Sequence, residues 1–322
     1  VYKRQVLRLL ASRPGKKIKL PSLDAFAENP AEDLEFQHVR LFAPGTHAWL
    51  VSEYGTMRVA RDNRQIFLAG NREMGVGLAV DTTTGDVAGF ANHLDKKLKI
   101  SGNLEDQLEF SALETSEDVE ASCESTQDGH QLDALVNEDN AVARSASAAD
   151  SGSTVTYKAT VAIDTDTEWL SNKFSNNQAS AQQWITELFV AMNVFYERDI
   201  ETQLLIGDVT LRISSDPYSI SSDRLGQLSE FGEEWQENMG HIDRQFAAMF
   251  SGRSISSNGF SGIAWLNSYC DYGSWANLNG GTYMAGSYSY NAIGSNMSAC
   301  LLYTSDAADE FCHGEIWVVG GS

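Results

Sequence analysis

YKATVAIDTDTEWLSNKFSNNQASAQQWITELFVAMNVFYERDIETQLLIGDVTLRI, residues 157–213, reads as strand, helix and strand. The run from Val155 to Ile163 is β-branched and alternating, which suits a pleated, half-buried strand. Thr165 and Glu168 have the Thr-x-x-Glu spacing of a capping box, which hands the strand over to a short helix. Ser180 and Gln183 offer a second box, opening a long helix. In that helix Trp184, Leu188, Ala191, Met192 and Phe195 fall at helical spacing, and Ile185, Phe189 and Val194 widen the stripe. A helix apolar over so much of its circumference is buried on most sides. Thr202 to Ile213 returns as a strand, with a bulge or kink expected at Gly207-Asp208. Two parallel strands joined by a buried crossover helix are the seed of an α/β layer.

Composition narrows what surrounds this unit. The chain has 322 residues, enough for two domains that each bury a core. Its hydrophobic content of 42% is globular, and no apolar run is long enough to span a membrane. The formal net charge of −21 argues against nucleic acid, whose phosphates need a positive footprint, and against anionic membrane surfaces. Such acidity suits solubility in an extracellular or salty setting. Four cysteines are too few for a disulfide scaffold but permit one or two bridges in a secreted protein.

Both ends look foreign. Residues 1–5, VYKRQ, read as the translation of a transposase adapter from a sequencing library, and CLLYTSDAADE at 300–310 reads as the same adapter from the opposite strand. Val6 to about Ala299 is therefore expected to be native, with 300–322 an artefact and doubtful tail, and no signal peptide can be read.

Short β-like runs follow one another in the front part: 35–42, 48–51, 56–60, 65–69 and 76–80. Asp81 to Asp86, DTTTGD, is a hairpin turn between Gly77–Val80 and Val87–Phe90. The spacing predicts a small antiparallel β domain ending near Phe110, within a β-rich segment 6–135. Residues 136–153 have the Ala, Ser, Asp and Gly composition of an exposed linker, with Arg144-Ser145 a candidate processing site. Cys123 precedes it in a polar context unlike that of a buried structural thiol. Beyond the central unit, Pro217 blocks strand continuation, and Ser222 or Asp223 caps a helix to about Asn238 with Leu225, Leu228, Phe231 and Trp235 as its stripe. Gly240 suits its stop. Phe246–Phe250 and Gly262–Leu266 are further apolar runs. The fold class expected is α+β: a β-rich front segment, then a twisted mixed sheet with helices.

Several stretches of residues 154–299, taken in order, resemble the front half of a reprolysin-like (adamalysin-type) metzincin. They are Tyr157–Ile163 with Asp164–Trp169, Ala191–Asp199, Ser215–Tyr218, Phe231–Trp235, Ser251–Arg253 and Gly262–Trp265. The resemblance implies a secreted zinc endopeptidase made as a zymogen, with residues 6–135 as prodomain, peptide or protein substrates and a monomeric state. The family binds Zn2+ through His-Glu-x-x-His-x-x-Gly-x-x-His and lets zinc-activated water attack a peptide carbonyl while the Glu takes the proton. No His-Glu pair occurs here, and His38, His47, His93, His130, His241 and His313 are scattered without zinc spacing. The catalytic residues are thus absent, and a fragment cut short of its metal helix is expected to be inactive.

The resemblance also implies roles for residues that are present. Gly262, Ile263, Ala264 and Trp265 match the edge strand that pairs with extended substrate; a plain core strand with Trp265 packed inside is the other reading. Cys123 matches the position where such prodomains present a thiolate to zinc, although it lacks the usual adjacent Gly. Cys270 is expected to bridge to a cysteine beyond the segment. Asp164, Asp166 and Glu168 cluster; a calcium site is one reading, and strand-end and helix-cap duty explains them better. The rival function is a non-catalytic extracellular binding protein using the same fold.

Overall fold

The computed structural model describes residues 17–20, 34–70, 74–93, 96–103, 108–112, 157–219, 223–253, 262–265, 268, 271–278 and 280–293. Cys123, Cys270, the linker 136–153 and both terminal segments lie outside these residues. The front strands are β1 (Lys17–Leu20), β2 (Leu34–Val39), β3 (Ala48–Ser52), β4 (Gly55–Val59), β5 (Gln65–Gly70), β6 (Met74–Val80), β7 (Asp86–His93), β8 (Lys96–Asn103) and β9 (Leu108–Ala112). Then come β10 (Tyr157–Thr165), α1 (Thr167–Phe174), α2 (Gln178–Ile200), β11 (Thr202–Arg212), α3 (Arg224–Glu237), β12 (Phe246–Ser251), β13 (Gly262–Ala264), β14 (Ser274–Leu278), β15 (Gly281–Ala285) and β16 (Tyr288–Ala292).

The central unit folds as its pattern requires. Strands β10 and β11 are parallel, and their register jumps from Val161 opposite Ile206 to Ile163 opposite Val209. Gly207 and Asp208 therefore face one residue, Ala162, which is a bulge. The helix caps differ from the expected boxes. Asp166, not Thr165, caps α1: its side chain accepts from Trp169 N, while Thr165 is still strand and its Oγ1 donates to Thr210 O at 3.2 Å. Asn177, not Ser180, caps α2, its Oδ1 accepting from Ser180 N at 3.1 Å. In both cases a short side-chain oxygen nearby serves the orphan N–H groups as well as the expected residue would. Asp223 caps α3 as one of the two candidates, and the helix stops at Asn238 rather than at Gly240.

Two sheets sandwich α2. The front sheet runs β1-β2-β5-β6-β7-β8-β9 and is antiparallel throughout. The expected hairpin turn joins β6 to β7, with Asp81 accepting from Thr83 N and Thr84 N and Gly85 adopting a positive φ of 81°. The mixed sheet runs β13-β16-β12-β10-β11-β3-β4, five parallel strands with an antiparallel strand at each end. Sequence alone assigns β3 and β4 to the front sheet; pairing instead places them beside β11. The reason is Asp208, which the bulge presents to this hairpin: its carboxylate accepts from His47 N and from Trp49 Nε1, each at 2.8 Å.

Burial of α2 on both sides explains its nearly unbroken apolar surface. One cluster holds Trp184, Leu188, Phe189, Val190, Val194 and Phe195 together with Ile163, Ile206 and Leu211 of the mixed sheet and Ile66, Leu68 and Phe90 of the front sheet. Burying each large side chain contributes about 1.5–3 kcal/mol relative to leaving it in water. In β6 the alternation is strict: Val76, Leu78 and Val80 join a separate apolar cluster. Gly75, Gly77 and Ala79 alternate with them, so they face the helix. A Cβ on Gly77 would lie 2.5 Å from Val190 Cγ1, so helix and sheet approach as closely as glycine allows. Asn193, fully buried, ties α2 to β11 by donating to Leu204 O at 2.9 Å and accepting from Leu204 N at 2.7 Å. Helix α3 covers the opposite face of the mixed sheet through Leu228, Phe231 and Trp235, packed with Ala162, Met249, Met284 and Tyr288.

Candidate functional site

Parallel strands β10, β11 and β12 end together, and the loops after them carry a polar knot. Burying Asp164 and Asp166 in an apolar sheet is costly unless every oxygen is served. Asp164 is served by Arg212, whose Nε and Nη2 donate at 2.8 and 2.7 Å, by Thr165 N at 2.8 Å and by the Tyr218 hydroxyl at 2.7 Å. Asp166 Oδ1 accepts from Trp169 N at 2.7 Å and Gly252 N at 2.9 Å, and its Oδ2 accepts from the Ser251 hydroxyl. Burial raises the Asp166 carboxyl to about 6, with the bonds from Gly252, Ser251 and Trp169 opposing the rise. Arg253 donates to Tyr218 O at 2.6 Å and lies 3.4 Å from Glu168 and 3.6 Å from Asp216.

This knot decides between the two readings of these acids in favour of strand-end and helix-cap duty. Asp164 and Asp166 spend their oxygens on protein donors, and Glu168 pairs with Arg253, so the three do not converge on a cation. Their work is to lock strand ends, a helix cap and the 251–253 turn to one another. Sequence pointed to the acids and missed Arg212; the available signal was a charged residue inside an otherwise apolar strand, which demands a partner.

Strand β13 lies at the margin of the mixed sheet among the described residues. It pairs antiparallel with β16, Gly262 opposite Asn291, Ile263 opposite Tyr290 and Ala264 opposite Ser289. Trp265 N donates to Tyr288 O at 3.3 Å. Bonded pairs alternate in an antiparallel ladder, so Ile263 shares the inward set with Trp265, and the N–H and C=O of Gly262 and Ala264 point away from β16. Ile263 and Trp265 are partly buried against the α3-side cluster. The stretch is therefore a marginal strand whose large side chains pack inward.

The described histidines His38, His47 and His241 do not gather. His38 stacks on Phe67 in the front sheet, His47 precedes β3, and His241 is exposed in the turn after α3. Among the described residues no group of three or more His, Cys, Asp or Glu is placed to hold a metal ion. They therefore do not supply a ligand set for zinc. Sequence reasoning also passed over Glu197, a buried carboxylate on α2 that desolvation raises to about 7, with Lys158 and Gln203 pulling it back. No helix among the described residues is long and apolar enough to cross a membrane.

A mixed sheet with helices on both faces and an antiparallel marginal strand defines an α+β architecture. Residues 155–308 match the Reprolysin_5 model, metallo-peptidase family M12. The second half of the chain is thus similar to the reprolysin-like metzincins, and the match supports a metalloprotease-like function for it. Among solved structures, metalloproteinase-II from Bacteroides fragilis is similar at 9% identity and a TM-score of 0.39, over 92% of this chain and 80% of that one. A chaperone–substrate complex is similar at 13% identity and a TM-score of 0.31, over 46% of this chain and only 23% of that one. At these scores neither likeness bears on function. No curated protein matches the chain.

Proposed function

We propose that the chain is the front part of a secreted zinc-dependent endopeptidase made as a zymogen. Residues 6–135 are read as prodomain, 136–153 as linker and 154–299 as the start of the catalytic domain. The observation that carries the reading is the M12 match over residues 155–308. The marginal strand β13 adds a physical rationale for peptide binding. An extended peptide would lie along the outward N–H and C=O groups of Gly262 and Ala264, while Ile263 and Trp265 anchor the strand from behind. Main-chain pairing does not read side chains, so broad tolerance of peptide sequence is expected. Cys123 is assigned as the inhibitory thiol and Cys270 as one half of a disulfide. The working state is taken to be a monomer.

No His-Glu pair is present in the 322 residues, so no step of hydrolysis is assigned to them, and by themselves they should neither hold zinc tightly nor cleave a casein-like substrate. The uninterrupted gene, translated past Ser298, tests the reading. A His-Glu-x-x-His motif downstream supports it, whereas an open frame without one leaves a non-catalytic binding protein. In the full-length zymogen, Cys123→Ser should release peptidase activity early, and unchanged latency would remove the thiol from the account.

A further inference from the structure

The seam between the front segment and the reprolysin-like half is built like the inside of one domain. Along β11, Ile206 N donates to Leu41 O at 2.7 Å, Val209 N to His47 O at 2.9 Å and Ile213 N to Val51 O at 3.0 Å, while Ala43 N donates to Ile206 O at 2.9 Å. Strand β3 follows in parallel register, from Ala48 opposite Val209 to Val51 opposite Arg212. The Asp208 carboxylate fastens the start of that strand from the β11 side. Further along, Arg64 donates to Glu187 at 2.8 Å and to Gln183 O at 2.5 Å on α2, and Asp62 completes its pairing. Gln182 donates to Ala60 O at 2.8 Å. The glycine face of β6 then seats Val190 and Val194 with no room for a larger residue, and Phe90 meets Phe195 with ring centroids 5.6 Å apart.

Taking the front segment away would open the β11 edge, leave Asp208 and Glu187 without these donors and bare a large apolar face of α2. An open, flat strand edge beside such a face invites aggregation. From this seam we infer that residues 34–112 are a permanent structural part of the reprolysin-like half. Cutting the chain between 112 and 157 yields a two-piece protein, and the front piece does not leave. The inference stands on the seam alone and changes one part of the peptidase reading: a prodomain held in this way stays bound after the cut.

The test places the recognition sequence of a site-specific protease between residues 140 and 149 of the full chain and cuts the folded protein. Both pieces should co-elute in gel filtration without denaturant, and the amides of Ile206, Val209 and Ile213 should stay as protected from hydrogen exchange as in the uncut chain. Release of the front piece, whether or not the remainder stays soluble, would overturn the inference. So would unprotected Val209 and Ile213 amides beside protected β10 amides. Neither readout uses hydrolysis, so the seam and the peptidase reading can fail separately.

Discussion

At one end of the mixed sheet β11 is covered by a hairpin drawn from residues 48–59; at the other, β16 is covered by the three residues of β13. The first edge is fixed by the Asp208 carboxylate, which holds His47 and Trp49 from 161 and 159 residues away in sequence, while a buried arginine and a glycine seam join the same front segment to α2. The second is a short strand whose neighbours on both sides in sequence belong to the same half of the chain. A sheet can thus be closed permanently on one side while it keeps backbone groups turned outward on the other. Closing one edge removes an aggregation hazard, and the opposite margin is where a peptide could add.

The comparison can be broken most forcefully at the glycine seam. Gly77→Leu drives a side chain into Val190 and should destabilise the fold by about 4 kcal/mol or more, seen as a collapse of the denaturant midpoint. Normal stability would mean that α2 does not sit on β6 this closely. Glu197 sharpens the same side by pH. Its folded pKa of about 7 lies above the ordinary 4.5, so the folded state binds more protons between those values. Its contribution is fully present below pH 4.5 and is lost as pH rises through 7, a swing of roughly 3 kcal/mol. Glu197→Gln should therefore gain up to roughly 3 kcal/mol over the parent at pH 8, with the gap closing near pH 4.5, as followed by urea unfolding. A gap independent of pH would contradict the burial.

Smaller effects separate the two edges directly. Asp208→Ala strands His47 N and Trp49 Nε1 and should cost about 2 kcal/mol, with faster exchange confined to β3 and β4. At the other margin, Ala264→Pro removes an outward N–H and should cost about 1 kcal/mol or less, whereas Ile263→Pro removes an inward donor and should cost more. Equal costs at 263 and 264 would show that the outward assignment of Ala264 is wrong.

Much of the central unit was legible because its signals are local. Periodicity located α2, alternation located β10, and Gly207-Asp208 announced a bulge that pairing then required. Caps were legible as chemistry but not as position, since Asp166 follows the expected Thr165 by one residue and Asn177 precedes the expected Ser180 by three, and each offers the same kind of acceptor. The sheet membership of β3 and β4 was not legible. It rests on Asp208 reaching His47 and Trp49 across the chain, and no local pattern in 48–59 distinguishes a partner in β11 from one in the front sheet. The acids of the polar knot were visible, but the choice between cation site and lock depended on Arg212 and Ser251, which only the fold brings to them. For β13, an apolar run marked the stretch and the resemblance offered an edge strand, while its place at the margin of this sheet rests on pairing with β16.

The most direct test of the function is peptide hydrolysis by the product of the whole gene, after activation, with and without a zinc chelator. The account predicts cleavage that the chelator abolishes and added zinc restores. Absence of cleavage by a folded, activated product, or cleavage indifferent to the chelator, would contradict it.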